Sequence, residues 1–160
     1  MKAIVVYFSL EGHTQYIAEE IAKNLKADTL SLKTAKAYPK GKLARMFWCG
    51  KSAVFGEKPK LAPYEYDASK YDVVILGTPI WAGSHAAPIS TFLEKNNIGG
   101  HKVAIYACSA SGDAQKCFEQ LKNKFEEVIA TLSLINPNKQ TYAEDRSKVE
   151  AFCKVIQERI

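Results

Sequence analysis

The chain has 160 residues and a formal net charge of +5, with 47% hydrophobic and 24% charged residues. This balance is typical of a water-soluble globular protein, and the length suits one domain, which we expect to span residues 1–160. No apolar run approaches the length of a membrane-spanning helix, which excludes a transmembrane protein. Met1 lies directly before the first predicted strand with no leader pattern, which predicts a cytoplasmic location.

Five runs rich in apolar or β-branched residues predict strands, at residues 3–8, 29–32, 72–77, 102–107 and 128–134. Helical periodicity lies between and after them, at residues 15–26, 42–55, 88–95, 114–124 and 143–159. The first, third and fourth runs are nearly continuous in large apolar residues, as in strands buried on both faces. The alternation predicts the α/β class: a doubly wound, five-stranded parallel sheet with helices on both faces. Ligands of such sheets bind beyond the carboxyl ends of the strands.

A candidate anion site follows the first strand. The loop there precedes an amphipathic helix, so it lies at a helix N-terminus, where unpaired N–H groups and the helix dipole attract anions. A glycine in the loop lets the backbone approach a ligand closely. Taken alone, the loop is better explained as an ordinary turn capped by Ser9 or Thr14, and only the later segments reverse that preference. The predicted phosphate-binding residues are Ser9, Leu10, Glu11, Gly12, His13 and Thr14.

Two further loops end at the same predicted edge of the sheet. The loop after the third strand holds a tryptophan that we expect to lie outside any strand, where it would cover a ligand; its residues are Thr78, Pro79, Ile80, Trp81, Ala82 and Gly83. The loop after the fourth strand has small residues whose backbone can hydrogen-bond a flat polar ring: Ser109, Ala110, Ser111 and Gly112. Each loop alone has a plainer interpretation, as a core tryptophan or a common turn. Together they favour one ligand with a phosphate and a flat ring.

These three loops resemble those of the flavodoxin family, and the resemblance covers nearly the whole chain. Ser9, Gly12 and Thr14 match the phosphate signature of the family, and Trp81 matches the aromatic residue that stacks on the flavin. His13 stands where asparagine is more frequent, and the loop after the fourth strand lacks the tyrosine that covers the other flavin face in many members. The resemblance implies FMN as cofactor, strand order 2-1-3-4-5, no metal and no catalytic side chain.

The residue after the predicted stacking position differs from the usual family pattern. Many flavodoxins have glycine there, whereas this chain has Ala82 followed by Gly83. A turn with positive φ at position 82 would cost alanine on the order of 1 kcal/mol, because its β-carbon is crowded in that conformation.

Other phosphate-binding folds fit the sequence less well. Gly50, Lys51 and Ser52 match the end of a P-loop, but Arg45 stands where the earlier glycine is required. A G-x-G-x-x-G fingerprint is absent after the first strand. The acidic residues expected of a receiver domain and the cysteine and arginine of a low-molecular-weight phosphatase are absent from the corresponding loops.

The cysteines and histidines form no recognisable catalytic or metal motif. Cys49, Cys108, Cys117 and Cys153 lack metal-ligand spacing, so we expect buried or partly exposed thiols. His85 is the histidine nearest the third-strand loop, and we expect it to be an exposed loop residue.

The positive charge is concentrated in one segment. Residues 33–60 contain eight basic residues and one acidic residue, a local charge of plus seven, while the rest of the chain carries minus two. This segment has three interpretations: it docks an acidic redox protein, it holds a nucleotide phosphate, or it is a solvated, lysine-rich surface. Nucleic-acid binding is a further option, but few aromatic residues are interleaved with the charges, so nucleic acid is not expected as a partner. A membrane is not expected either, because no apolar run approaches spanning length.

The resemblance leaves two functional hypotheses. The first is a flavoprotein of electron transport, a low-potential carrier of single electrons between redox proteins. The second is an oxidoreductase, a small FMN-dependent NAD(P)H quinone or nitro-compound reductase. The short loops and the lack of a nicotinamide motif favour the carrier, whereas the basic segment and the missing second aromatic residue allow the enzyme.

Overall fold

The computed structural model describes all 160 residues and is built around one twisted sheet of six strands. The strands are β1 (Ala3–Phe8), β2 (Asp28–Leu32), β3 (Val73–Trp81), β4 (Ser84–His85), β5 (Lys102–Ser109) and β6 (Val128–Ile135). Five of them run parallel in the order β2-β1-β3-β5-β6, and β4 pairs antiparallel with the end of β3. Without β4, this is the predicted order 2-1-3-4-5, so the predicted fold class is confirmed.

Five α-helices cover the two faces of the sheet. They are α1 (His13–Leu25), α2 (Lys42–Val54), α3 (Ala87–Lys95), α4 (Gln115–Lys122) and α5 (Tyr142–Glu158), and a short 3-10 helix spans Ala68–Lys70. Helices α1 and α5 share one apolar core with the sheet, and α2, α3 and α4 contribute to a second core on the other face. None of the helices is both long enough and apolar enough to cross a bilayer.

The three central strands explain why the sheet forms. Every residue of β1 is buried, as is most of β3 and β5, because helices cover both faces there. On one side, α1 buries Ile17, Ile21 and Leu25, which recur every four residues and face the core together. This packing fixes the N-terminal end of α1 beside the carboxyl ends of β1, β3 and β5.

The region around Trp81 differs from the prediction. Strand β3 continues four residues beyond the predicted end at residue 77, so Trp81 lies at the end of a strand and the expectation that it occupies a loop is wrong. Trp81 pairs with Ser84 across a two-residue turn formed by Ala82 and Gly83. Both turn residues have positive φ, 48° and 77°, as a tight hairpin turn requires. The alanine at position 82 therefore adopts the costly conformation that the sequence suggested.

The basic segment, residues 33–60, leaves the sheet after β2 and its two ends meet again before β3. We call this closed segment the basic excursion. A bridge between Thr34 and Leu61 joins its two ends, reinforced by backbone hydrogen bonds from the Ala35 and Ala62 amides to the Lys60 and Lys33 carbonyls, both 2.8 Å long. Helix α2 is carried on this excursion and packs on the sheet only through a narrow side that buries Cys49 and Ser52.

Candidate functional site

A cavity of about 610 Å³ opens at the carboxyl ends of β1, β3 and β5. The loops after these strands form its floor and walls, as expected where parallel strands end together. The structure brings eleven of the sixteen predicted site residues to this cavity: Ser9, Leu10, Glu11, His13, Thr14, Pro79, Ile80, Trp81, Ala82, Ser109 and Ala110. Their contact with a cofactor stays a prediction.

The other five predicted residues do not line the cavity. Gly12, Gly83 and Gly112 have positive φ and shape the three loops. The Thr78 side chain is fully buried, and its Oγ1 accepts a 2.9 Å hydrogen bond from the Ala86 amide, which ties β3 to the start of α3. Ser111 is exposed beside its loop. The three glycines and Thr78 therefore shape the site without forming its surface, and Ser111 lies outside the cavity.

The first loop lines the cavity and holds backbone amides without a hydrogen-bond partner in the protein. The N–H of Gly12 donates to Ser9 Oγ at 3.2 Å, which closes the loop on itself. The amides of residues 10, 11, 13 and 14 make no hydrogen bond outside helices and strands, and α1 itself offers no partner to the first N–H groups of its opening turn. Gly12, with φ 94°, allows this turn of the backbone. The arrangement suits an anion.

His13 is fixed by the loop after β6. Its Nδ1 lies 2.9 Å from the carbonyl oxygen of Pro137. Since a carbonyl only accepts hydrogen bonds, Nδ1 carries the proton and donates it. The interaction joins the start of α1 to the loop that places Asn136 in the wall of the cavity.

A buried tyrosine on β5 also holds the first turn of α1. The Tyr106 hydroxyl on β5 donates a 2.9 Å hydrogen bond to the carbonyl oxygen of Thr14. To reach it, the ring passes over Gly77, its neighbour on β3, so closely that a β-carbon at position 77 would lie 2.1 Å from the Tyr106 hydroxyl oxygen. Burial raises the pKa of Tyr106 well above its usual value, so the hydroxyl stays protonated and remains a donor.

Trp81 belongs both to the core and to the cavity wall. Its side chain is 8% exposed and meets Phe8 and Tyr38 edge to face, with ring centroids 5.6 and 5.3 Å away. Two aromatic neighbours on strand β1 and the basic excursion therefore hold the indole in one orientation. Together with Pro79 and Ile80 it forms an apolar wall of the cavity.

Helix α2 contributes a part of the site that sequence reasoning missed. Lys42, Arg45 and Met46 line the cavity although they lie about thirty residues from each flanking loop along the chain. Arg45 Nη1 lies 3.7 Å from a carboxylate oxygen of Glu11, and its other nitrogens donate to the carbonyls of Pro39 and Lys40, both at 3.3 Å. The guanidinium thus offsets the one negative charge in the anion-binding loop. The local excess of basic residues was the only sequence signal for this part.

The thiols near the cavity are not nucleophiles. All four cysteines are buried and unpaired, and Cys49 and Cys108 line the cavity. Burial raises the pKa of Cys49 to about 11 and that of Cys108 to about 12, so both are neutral thiols at pH 7. No group of three or more His, Cys, Asp or Glu side chains is placed to hold a metal ion.

His85 lies in a second, polar cavity of about 430 Å³ on the other side of the β3–β4 hairpin. The expectation that it is exposed is wrong: the residue is 8% exposed, and its Nε2 lies 2.8 Å from Ser90 Oγ on α3. Burial, helped by the nearby Lys124 ammonium, lowers the pKa of His85 to about 4. The imidazole is therefore neutral at pH 7 and has a structural position between β4 and α3.

Comparison with known proteins agrees with this architecture. A family model described as Flavodoxin matches residues 2–150 of the chain. Since this span covers most of the sequence, it confirms the resemblance stated from the three loops.

Solved structures of similar fold extend the comparison. A flavoprotein from Lactobacillus acidophilus NCFM, in complex with FMN, has 22% identity and a TM-score of 0.72, over 82% of this chain and 91% of that chain. A protein of Bacteroides uniformis ATCC 8492 assigned as a flavoprotein has 23% identity and a TM-score of 0.76, over 96% and 97%. A flavodoxin from the domain Archaea has 16% identity and a TM-score of 0.55, over 98% and 99%. At these identities the likeness concerns the fold.

Proposed function

Because the chain belongs to the flavodoxin family, we propose that it binds FMN and acts as a low-potential carrier of single electrons between redox proteins. The observation that carries the proposal is the cavity itself, which combines unpaired amides at the start of α1 with the apolar side chains of Pro79, Ile80 and Trp81 at the end of β3. FMN has the matching parts, a phosphate dianion and a flat ring. When bound, the flavin supplies the redox chemistry, and the protein holds it and controls access.

The residues of the chain have separate tasks in this proposal. The backbone amides of residues 10, 11, 13 and 14 donate hydrogen bonds to the phosphate, and Arg45 and Lys42 offset its charge. Trp81 and Ile80 pack against the ring, and the small residues Ser109 and Ala110 leave their backbone free to bind its polar edge. This proposal requires no side chain to act as an acid, a base or a nucleophile.

The proposal is tested by comparing FMN with riboflavin, which lacks the phosphate. Charge-assisted hydrogen bonds contribute about 1.5–3 kcal/mol each, so we expect FMN to bind at least a hundredfold more tightly in a fluorescence titration. Arg45→Gln should weaken FMN about five- to tenfold and leave riboflavin unchanged. Lys51→Gln is the matched control, because Lys51 lies on the same helix and does not line the cavity. Equal affinity for the two flavins would sink the assignment of the anion loop.

One observation supports the second candidate, an FMN-dependent NAD(P)H reductase. Trp81 is the only Phe, Tyr or Trp side chain that lines the cavity, and Lys42 and Arg45 line the same cavity, where they would suit the phosphates of a nicotinamide cofactor. Anaerobic mixing of the FMN-loaded protein with NADH or NADPH separates the two functions. A carrier keeps its visible flavin absorbance for minutes, whereas rapid bleaching would establish the reductase.

A further inference from the structure

Helix α2 exposes its most apolar side. Leu43, Phe47 and Val54 lie on one outward stripe at helical spacing and are 79%, 69% and 70% exposed. The inward side buries only Cys49 and Ser52. A surface helix normally has the opposite arrangement, because burying the larger apolar side chains releases more free energy. A contiguous exposed apolar face of this kind marks an interaction site.

Basic residues surround this apolar stripe. Lys51 lies along the same outward side, with its Nζ 5.1 Å from the Trp48 ring centroid, and Lys40 and Lys42 precede the stripe. Glu57 is the single acidic residue within 33–60, against eight basic residues. An occupant that covers the stripe must therefore bring negative charge to the rim. A second copy of the chain fits this requirement poorly, since a two-fold contact would bring one plus-seven segment close to another.

The stripe is continuous with the cavity. Met46 lines the cavity and is also 70% exposed, and it lies one turn after Leu43 on the helix, so it borders both the stripe and the cavity. The excursion that carries α2 is closed at its base by the Thr34–Leu61 bridge, and Thr91 Oγ1 on α3 donates a 2.8 Å hydrogen bond to the Pro59 carbonyl. The helix is thus held beside the mouth of the site with its apolar side outward.

We propose that the outward face of α2, defined by Leu43, Phe47, Lys51 and Val54, is the docking surface for an acidic redox protein. This inference rests on the proposed carrier function. A helix of 13 residues is about 20 Å long and covers on the order of 300 Å². With its basic rim, this footprint suits the small interfaces of transient electron-transfer complexes, which bury less than about 1,200 Å² in total. Positive charge around an apolar centre gives fast association, and the limited area allows rapid release.

The inference is tested by binding rather than by turnover. The probes are two c-type cytochromes of opposite net charge, added to ¹⁵N-labelled protein whose amide resonances are followed by NMR. We expect the acidic cytochrome to shift the amides of residues 42–55 at low salt, with little change on α1 or α5. Raising the ionic strength to 0.5 M should weaken the interaction, because the charges at the rim are then screened.

Matched variants separate the apolar centre from the charged rim. The double change Leu43→Ser and Phe47→Ser should weaken binding of the acidic cytochrome about tenfold, whereas Ile160→Ser, also at an exposed apolar residue, should have no effect. Lys51→Glu should weaken it several-fold, whereas Lys23→Glu on α1, across the sheet, should not. Circular dichroism establishes that each variant is folded.

Three outcomes would overturn the inference. They are shifts confined to residues outside 42–55, equal binding of both cytochromes, and binding of α2 to vesicles containing an anionic lipid or to a second copy in preference to the acidic cytochrome. Failure of the proposed function looks different. In that case the reduced, FMN-loaded protein gives no electron to the ferric haem of either cytochrome, whatever residue stands on α2.

Discussion

Helices α1 and α2 have the same length and border the same cavity, yet their large apolar residues face opposite ways: toward the sheet in α1 and away from it in α2. Each has 13 residues and begins after a glycine. In α1 the large apolar side chains are buried, and in α2 they face outward. Amphipathic spacing therefore predicts that a helix has an apolar side but does not say where that side points.

The connections of the two helices explain the difference. Helix α1 follows β1 after a loop of four residues, and the Tyr106 hydroxyl fixes its first turn. Helix α2 lies on the long excursion between β2 and β3, and Arg45 ties its inner side to the carbonyls of Pro39 and Lys40. A short connection from the strand holds α1 against the core. On the long excursion, contacts with the loop decide which side of α2 faces the sheet.

The largest expected effect compares the two helices directly. Ile21→Ala on α1 should lower the free energy of unfolding by about 3–4 kcal/mol, because it leaves a cavity under a fully buried residue. Phe47→Ala on α2 should change it by no more than about 0.5 kcal/mol, as for most surface substitutions. Urea denaturation measures both. If Phe47→Ala costs as much as Ile21→Ala, α2 buries its apolar side in solution and the contrast is broken.

The second effect concerns pH and the side of the sheet on which α2 lies. His85 has a pKa of about 4 in the folded protein and an ordinary value of 6.5 when exposed. Between these values the unfolded chain binds the extra proton, so stability is full above pH 6.5 and falls as the pH drops toward 4. The loss should reach roughly 3 kcal/mol. The measurement is urea denaturation from pH 7 to 4, with His85→Gln as comparison. A parallel pH dependence in the variant would show that other groups cause it.

The third effect tests how α1 is anchored. Tyr106→Phe removes the hydrogen bond to the Thr14 carbonyl in a fully buried place and should cost about 1–2 kcal/mol. Tyr71→Phe is the control, since its hydroxyl bonds to Asp28 at 3.0 Å at the surface and should matter less. Hydrogen exchange should also quicken at the start of α1 in Tyr106→Phe. Unchanged exchange there would mean that the tyrosine does not anchor the turn.

The smallest expected effects are two changes in stability of opposite sign, one in the β3–β4 turn and one on α2. Ala82→Gly should stabilise the protein by up to about 1 kcal/mol, because the residue has φ 48° in the hairpin turn. Ala44→Gly on α2 should destabilise it by up to about 1 kcal/mol, because glycine is a poor helix former. Thermal unfolding shows both as small shifts of Tm. Equal signs for the two changes would contradict the turn assigned at position 82.

The fold was predictable because its main signals are local. The buried strands and the α1 stripe follow from apolar runs and spacing within a few residues, and the helix bounds agree within two residues. Strand β4 was missed because two residues carry no periodicity. The end of β3 was misplaced because Thr78 and Pro79 interrupt the apolar run. Pairing with β5 nevertheless keeps these two residues extended, and the hairpin with β4 does the same for Ile80.

The site was predictable only where it lies in loops that end at one edge of the sheet. Arg45 and Met46 reach the cavity through the path of the basic excursion, which no short-range pattern contains. The burial of His85 likewise depends on Ser90 in α3 and on the short strand β4. Both features arise from packing between segments that are far apart in sequence or that carry no pattern.

Because the Tyr106 ring crosses over Gly77, the residues at these two positions cannot be changed independently. A methyl group at position 77 occupies the space of the ring, since it would lie 2.2 Å from Cζ and 2.5 Å from Cε1 as well as 2.1 Å from the hydroxyl oxygen. Valine at position 106 would make room for alanine at 77, and β-branched residues suit strands. Alanine at 77 with valine at 106 would fit the space between the strands, but the Thr14 carbonyl would lose its hydrogen-bond donor. We therefore expect the two positions to covary, with glycine at 77 wherever a tyrosine at 106 donates to the first turn of α1.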